Sequence, residues 1–109
     1  MDLVNELFQK QRDLDISIRS LRNTSEEYAN AYKNYRVALA KKLLILKNEG
    51  YAITLAGDLA RGDKEIAELK FEEICKEAIY RANLESINAL KLEIKLISNQ
   101  IDKEWSKNE

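Results

Sequence analysis

The stretch Lys47-Asn48-Glu49-Gly50-Tyr51-Ala52-Ile53-Thr54-Leu55-Ala56-Gly57-Asp58-Leu59-Ala60-Arg61-Gly62-Asp63 holds all three glycines of a 109-residue chain that has no proline. On both sides of it the sequence is patterned as helix, so this is where the chain turns. Gly50 can take the left-handed conformation that ends a helix, with Lys47 well placed at the negative end of the helix dipole. Thr54 is expected to cap a short helix through Leu55 to Arg61, which Gly62 ends. Asp63 is then expected to cap a second long helix, with Glu65 and Glu68 near its positive end.

Upstream, a heptad pattern runs from Leu7 to Leu46. One position falls on Leu7, Leu14, Leu21, Tyr28, Tyr35 and Lys42. Its companion falls on Gln11, Ile18, Ser25, Tyr32, Leu39 and Leu46. Most of these carry Leu, Ile or Tyr, the seam that two packed helices need. Thr24-Ser25-Glu26-Glu27 has the form of a capping box, which offers a break near Asn23. The unbroken heptad phase favours one helix over about residues 3–48. Downstream, Tyr80, Leu84, Ile87, Ile94, Ile101 and Trp105 form a second seam on a helix over about residues 63–106. Leu90, Leu92 and Ile97 widen its apolar face.

Each long helix has roughly 40 residues, or about 60 Å at 1.5 Å per residue. Matched lengths around a corner at residues 49–62 predict an all-α, coiled-coil-like antiparallel hairpin, a single helical domain over residues 1–109. Two helices make a thin core, and the wide apolar face of the second asks for further cover. The economical expectation is a homo-oligomer, in the simplest case a homodimer forming a four-helix bundle.

Composition agrees, with 34% charged and 45% hydrophobic residues, as in long helices and coiled coils. The net charge of −1 gives the whole molecule no attraction for nucleic acid or anionic lipid. Residues 1–49 carry nine basic and seven acidic groups, and residues 50–109 carry nine and twelve. That difference is too small for a basic arm or acidic tail, though it favours antiparallel pairing of the halves. Cys75 is the one cysteine, which fits a reducing compartment. The start, Met1-Asp2-Leu3-Val4-Asn5-Glu6, lacks the pattern of a signal peptide, and no apolar run approaches the roughly 20 residues of a membrane span. The expected location is the cytoplasm, with no membrane partner.

The residues for most chemistry are missing. The chain has no histidine, which removes Ser-His-Asp and Cys-His systems, histidine-ligated zinc and Glu-x-x-His di-iron bundles. A lone thiol removes thiolate zinc and iron–sulfur sites. Glu65, Glu68, Glu72, Glu73 and Glu77 offer carboxylates for magnesium, and all-α nucleotide pyrophosphatases use paired acidic helices in that way. Here Glu65-x-x-Glu68 has no Glu-x-x-Asp partner downstream, and Lys64, Lys70 and Lys76 interleave as on a solvated face. Gly57 and Gly62 have the spacing of a phosphate loop, but Asp63 stands where lysine is needed and no Ser or Thr follows Lys64. Arg61-Gly62-Asp63 matches a cell-adhesion tripeptide by coincidence. The expectation is no enzyme, with no catalytic residue, cofactor or metal.

Surfaces remain. Tyr28, Tyr32 and Tyr35 share one helix face, either as filling for the hairpin seam or as an aromatic platform for bases or a protein. Lys33, Arg36, Lys41, Lys42 and Lys47 lie in the same stretch but spread around the helix. The corner departs from helical regularity, and loops tend to carry function. Tyr51, Thr54, Asp58 and Arg61 are therefore candidate contact residues, with Tyr28, Tyr32 and Tyr35 beside them. Cys75 is expected to be a small, buried or half-buried residue, and Trp105 to close the hairpin's end or sit in an interface.

The run Thr54 to Asp63 resembles part of a family of small helical proteins encoded by phages and prophages of Gram-positive bacteria. So do Tyr35-Arg36-Val37-Ala38-Leu39-Ala40-Lys41-Lys42, Ala78-Ile79-Tyr80-Arg81-Ala82-Asn83 and the closing Gln100-Ile101-Asp102-Lys103-Glu104-Trp105. The resemblance covers roughly residues 28 to 107 and brings no catalytic residues. It implies a phage early-gene product in the host cytoplasm. The expected function is that of a non-enzymatic accessory protein, a homo-oligomer that binds a host or phage protein. The alternatives are single-stranded nucleic-acid binding in phage replication or recombination, and structural scaffolding.

Overall fold

A computed structural model describes residues 2–107 and shows the all-α hairpin that the sequence predicts. Its helices are α1 (Asp2–Asn48), α2 (Ile53–Gly62) and α3 (Lys64–Lys107). No strand occurs among the described residues. Helix α1 passes Asn23 without a break. The carboxylate of Glu27 accepts a hydrogen bond from Lys76 of α3 at 3.3 Å, a tie between helices rather than a local cap.

The end of α1 follows from Gly50, whose φ is +95°. Gly50 N–H donates to the Lys47 carbonyl at 3.0 Å and Tyr51 N–H to the Leu46 carbonyl at 3.2 Å, the paired bonds of a Schellman motif. A Cβ at Gly50 would meet nothing within 4 Å. Gly50→Ala therefore isolates the backbone cost of a left-handed residue, about 1–2 kcal/mol of destabilisation by chemical denaturation. An unchanged midpoint would contradict this account of the corner.

Helix α2 begins earlier than expected. Ala52 is its N-cap, with extended backbone and no side-chain cap bond, and its carbonyl accepts the Ala56 N–H at 2.8 Å. Thr54 thus lies inside the first turn and caps nothing there. Asp63 does cap α3: its Oδ1 accepts the N–H groups of Glu65 at 3.1 Å and Ile66 at 3.2 Å.

The described chain divides into two compact units, one of residues 24–79 and one of residues 2–23 with 80–107. In the 24–79 unit, α1 and α3 run antiparallel: Glu27 pairs with Lys76, Tyr35 with Lys70, and Lys42 with Asp63. Its core is Tyr35, Leu39 and Leu46 of α1, Ala56 and Ala60 of α2, and Ile66 of α3. Helix α2 presents its small side chains inward, so it can lie close against the long helices. In the other unit the pairing is antiparallel too, with Lys10 meeting Glu93 at 2.8 Å and Ser17 meeting Ser86. Asn83 there donates to the Ser17 carbonyl at 2.9 Å. In this unit Leu7, Leu14 and Leu21 of α1 and Leu90, Ile94 and Ile97 of α3 are half-buried, and Ile87 is buried. No large side chain among the described residues is completely enclosed, so the core is thin.

Half of the expected α1 seam is the observed one: Leu7, Leu14, Leu21, Tyr28, Tyr35 and Lys42 are all buried or half-buried. The companion row differs. Gln11, Ile18 and Tyr32 are exposed while Ser25, Leu39 and Leu46 keep the inward place, and Lys10, Ser17, Thr24, Ala31 and Ala38 are turned inward as well. Small side chains let the helices approach, and Lys10 lays its stem inward while its ammonium reaches Glu93. A row chosen for apolar character selects its greasier neighbours instead. Trp105 is 70% exposed and so does not close the hairpin's end.

Candidate functional site

The corner places Tyr51, Thr54, Asp58 and Arg61 on the surface, with Arg61 and Asp58 paired along α2 at 3.8 Å. The sequence reading passes over the apolar side chains among them. Ile53, Leu55 and Leu59 are also exposed, Ile53 to 78%. The signal for them is the small-residue row Ala56, Gly57 and Ala60: when that row is buried, the large residues of a ten-residue helix must point away.

The three tyrosines do not share one exposure. Tyr28 is half-buried and Tyr35 is buried in the core, while Tyr32 is exposed. The Lys70 ammonium sits 4.8 Å from the centre of the Tyr35 ring, a cation–π contact. The rings therefore split between interior and surface rather than forming one open stacking face. Lys33, Arg36, Lys41 and Lys47 are exposed, and Lys42 is drawn to Asp63 at 3.5 Å.

Among the α3 carboxylates, Glu65, Glu68 and Glu72 face solvent. Glu73 is 4% exposed and accepts a hydrogen bond from Lys70 at 2.8 Å. No group of three carboxylates or thiolates among the described residues is arranged to hold a metal ion. An open hollow of about 260 Å³ lies over Ala38, Lys41, Lys42, Ile45, Asp63, Glu65 and Ile66. Its two lysines face two carboxylates, so it has no net attraction for an ion of either sign.

Asp63 is the best-connected of these groups. The Ile66 N–H, then Lys42 and the Glu65 N–H, hold its carboxyl below the ordinary value of 3.8. A carboxyl lowered on folding adds stability that is complete above its unfolded value and lost as pH falls through the folded one. The chain should therefore lose stability below about pH 4, partly through this cap. Asp63→Asn, which caps without a charge, should show a shallower acid loss in thermal melts from pH 6 to 2. Identical slopes would remove Asp63 as the cause.

An exposed apolar row lies on α3, away from the hairpin seam. In the 24–79 unit, Ala67, Phe71, Ile74 and Ala78 are all exposed, Phe71 to 67% and Ile74 to 53%. They follow one another at intervals of four, three and four, which puts them on one face. Ile66, Leu69, Glu73 and Lys76 hold the opposite, inward face. In the other unit, Ala82, Ala89, Leu92 and Leu96 are exposed on the outside of α3. Cys75 is half-buried and unbridged. No described helix is long and apolar enough to cross a membrane. Comparison with protein-family models, with curated proteins and with solved structures finds no match.

Proposed function

We propose that this chain is a non-enzymatic accessory protein that acts by protein–protein contact, as a helical homo-oligomer. The observation that carries this reading is the outer face of α3, where Phe71 and Ile74 stand in solvent at heptad spacing with Ala67 and Ala78. Large apolar residues in a continuous row are unfavourable in water unless something covers them. The absence of histidine and the single cysteine leave few side chains for chemistry, which favours a binding role. The likeness to phage and prophage proteins of Gram-positive bacteria supplies a context, the cytoplasm of an infected or lysogenic cell. There a host or phage protein would be the second partner. The corner, with Tyr51, Ile53, Leu55 and Leu59 exposed, is the surface we assign to that partner. Sedimentation equilibrium of the 109-residue chain tests the central claim. Association in the micromolar range is expected, and a chain that stays single at millimolar concentration would overturn it.

A further inference from the structure

Within the 24–79 unit, the outer row of α3 reads the same from either end: Ala67, Phe71, Ile74, Ala78, or small, large, large, small. We propose that this row is the contact with a second copy of the chain, the two α3 helices lying antiparallel about a twofold axis between Phe71 and Ile74. The proposal rests on the homo-oligomeric reading above and gives it a surface, a partner and a geometry.

A twofold contact uses one patch on both subunits, so the patch must complement itself. About this axis Phe71 packs against Ile74 of the second copy, and Ala67 against Ala78, each contact occurring twice. The intervals of four, three and four are those of a coiled-coil seam, and the alanines at its ends let the backbones approach. An unrelated partner would require no such symmetry of size.

The borders of the row agree. Lys70 and Glu77 each stand one residue before a row position, Phe71 and Ala78, on the same flank. In an antiparallel pair this flank meets its own copy, so Lys70 comes beside Glu77 of the second chain, twice. Lys70 keeps its bond to Glu73, and 47% of its side chain is in solvent. The other flank sets Glu68 against Cys75. Antiparallel pairing also opposes the two helix dipoles.

The test uses the full chain in sedimentation equilibrium, with far-UV circular dichroism to check the fold. The wild type is expected at about twice 12.6 kDa. Phe71→Glu and Ile74→Glu, both at exposed positions, should keep the helical spectrum. Each should raise the dimer's dissociation constant by at least about a hundredfold, since one substitution in a twofold interface acts twice. Cysteine pairing then reads the direction. In a Cys75→Ala background, the combination Ala67→Cys with Ala78→Cys should form a covalent dimer under mild oxidation, and neither single change should. If the wild type dimerises but the glutamate variants do so equally well, this interface is wrong and the oligomeric reading stands. If single cysteines cross-link as readily as the pair, the antiparallel arrangement is wrong. A wild type that never associates overturns both.

Discussion

Tyr35→Ala is expected to lower the free energy of unfolding by about 3–5 kcal/mol, the range for removing a buried aromatic ring. Tyr35 is 9% exposed and stands in the cluster with Leu39, Leu46, Ala56, Ala60 and Ile66. Alanine there removes the ring's buried area and leaves a gap that small neighbours such as Ala56 and Ala60 cannot fill. It also takes away the surface over which the Lys70 ammonium rests. A domain of this size has about 5–15 kcal/mol of stability in total, so the variant should be partly unfolded well below the wild-type midpoint. Tyr35→Phe keeps the ring and should cost about 1 kcal/mol or less, the worth of a single hydrogen-bonding group. Urea denaturation followed at 222 nm measures both. A loss under 1 kcal/mol for alanine would mean that the core lies elsewhere.

The second large effect concerns the charge pair that Lys70 makes beside that ring. Lys70→Met retains most of the stem but leaves the Glu73 carboxylate, whose side chain is 6% exposed, without its hydrogen bond. The expected cost is about 2–3 kcal/mol, below that of breaking a fully enclosed pair because water still reaches the position of the ammonium. Adding Glu73→Leu should recover most of the loss, since an apolar replacement for both members is often neutral or stabilising. A double variant no better than the single would show that Glu73 is not the source. The pair has an alkaline signature as well. The Glu73 hydrogen bond holds the Lys70 ammonium above its ordinary value of 10.5. Its contribution is therefore complete at neutral pH and is lost as pH rises through the elevated value.

How far the sequence could be read follows from what each pattern encodes. The glycine that stops α1 and the aspartate that starts α3 act through local backbone bonds, so Gly50 and Asp63 are legible at their own positions. Leu7, Leu14, Leu21, Tyr28 and Tyr35 are legible for a different reason, since apolar residues at heptad spacing have one natural place. Lys10, Ser17, Thr24, Ala31 and Ala38 are not legible. Their inward position depends on how closely α3 approaches, and Ile18 and Tyr32 look like better core residues in isolation. The start of α2 escapes for a similar cause, because Ala52 caps it by backbone conformation alone. Of the surfaces, the exposed corner residues Tyr51, Thr54, Asp58 and Arg61 can be named from sequence. The outer row of α3 is hidden there by the inner one: both are apolar at helical spacing, and only tertiary packing shows which is already covered.

A seven-residue repeat slides past its partner with little penalty from oily contacts, because every seventh layer looks much like the last. A displacement of one repeat would bring Glu27 opposite Leu69 and Lys10 opposite Ser86. Each would part from the lysine or glutamate it now meets, Lys76 at 3.3 Å and Glu93 at 2.8 Å. Individually these surface bridges add little adhesion, yet they separate the native alignment from its shifted neighbours. Grease holds the two rods together, and the ionic rungs keep them from sliding.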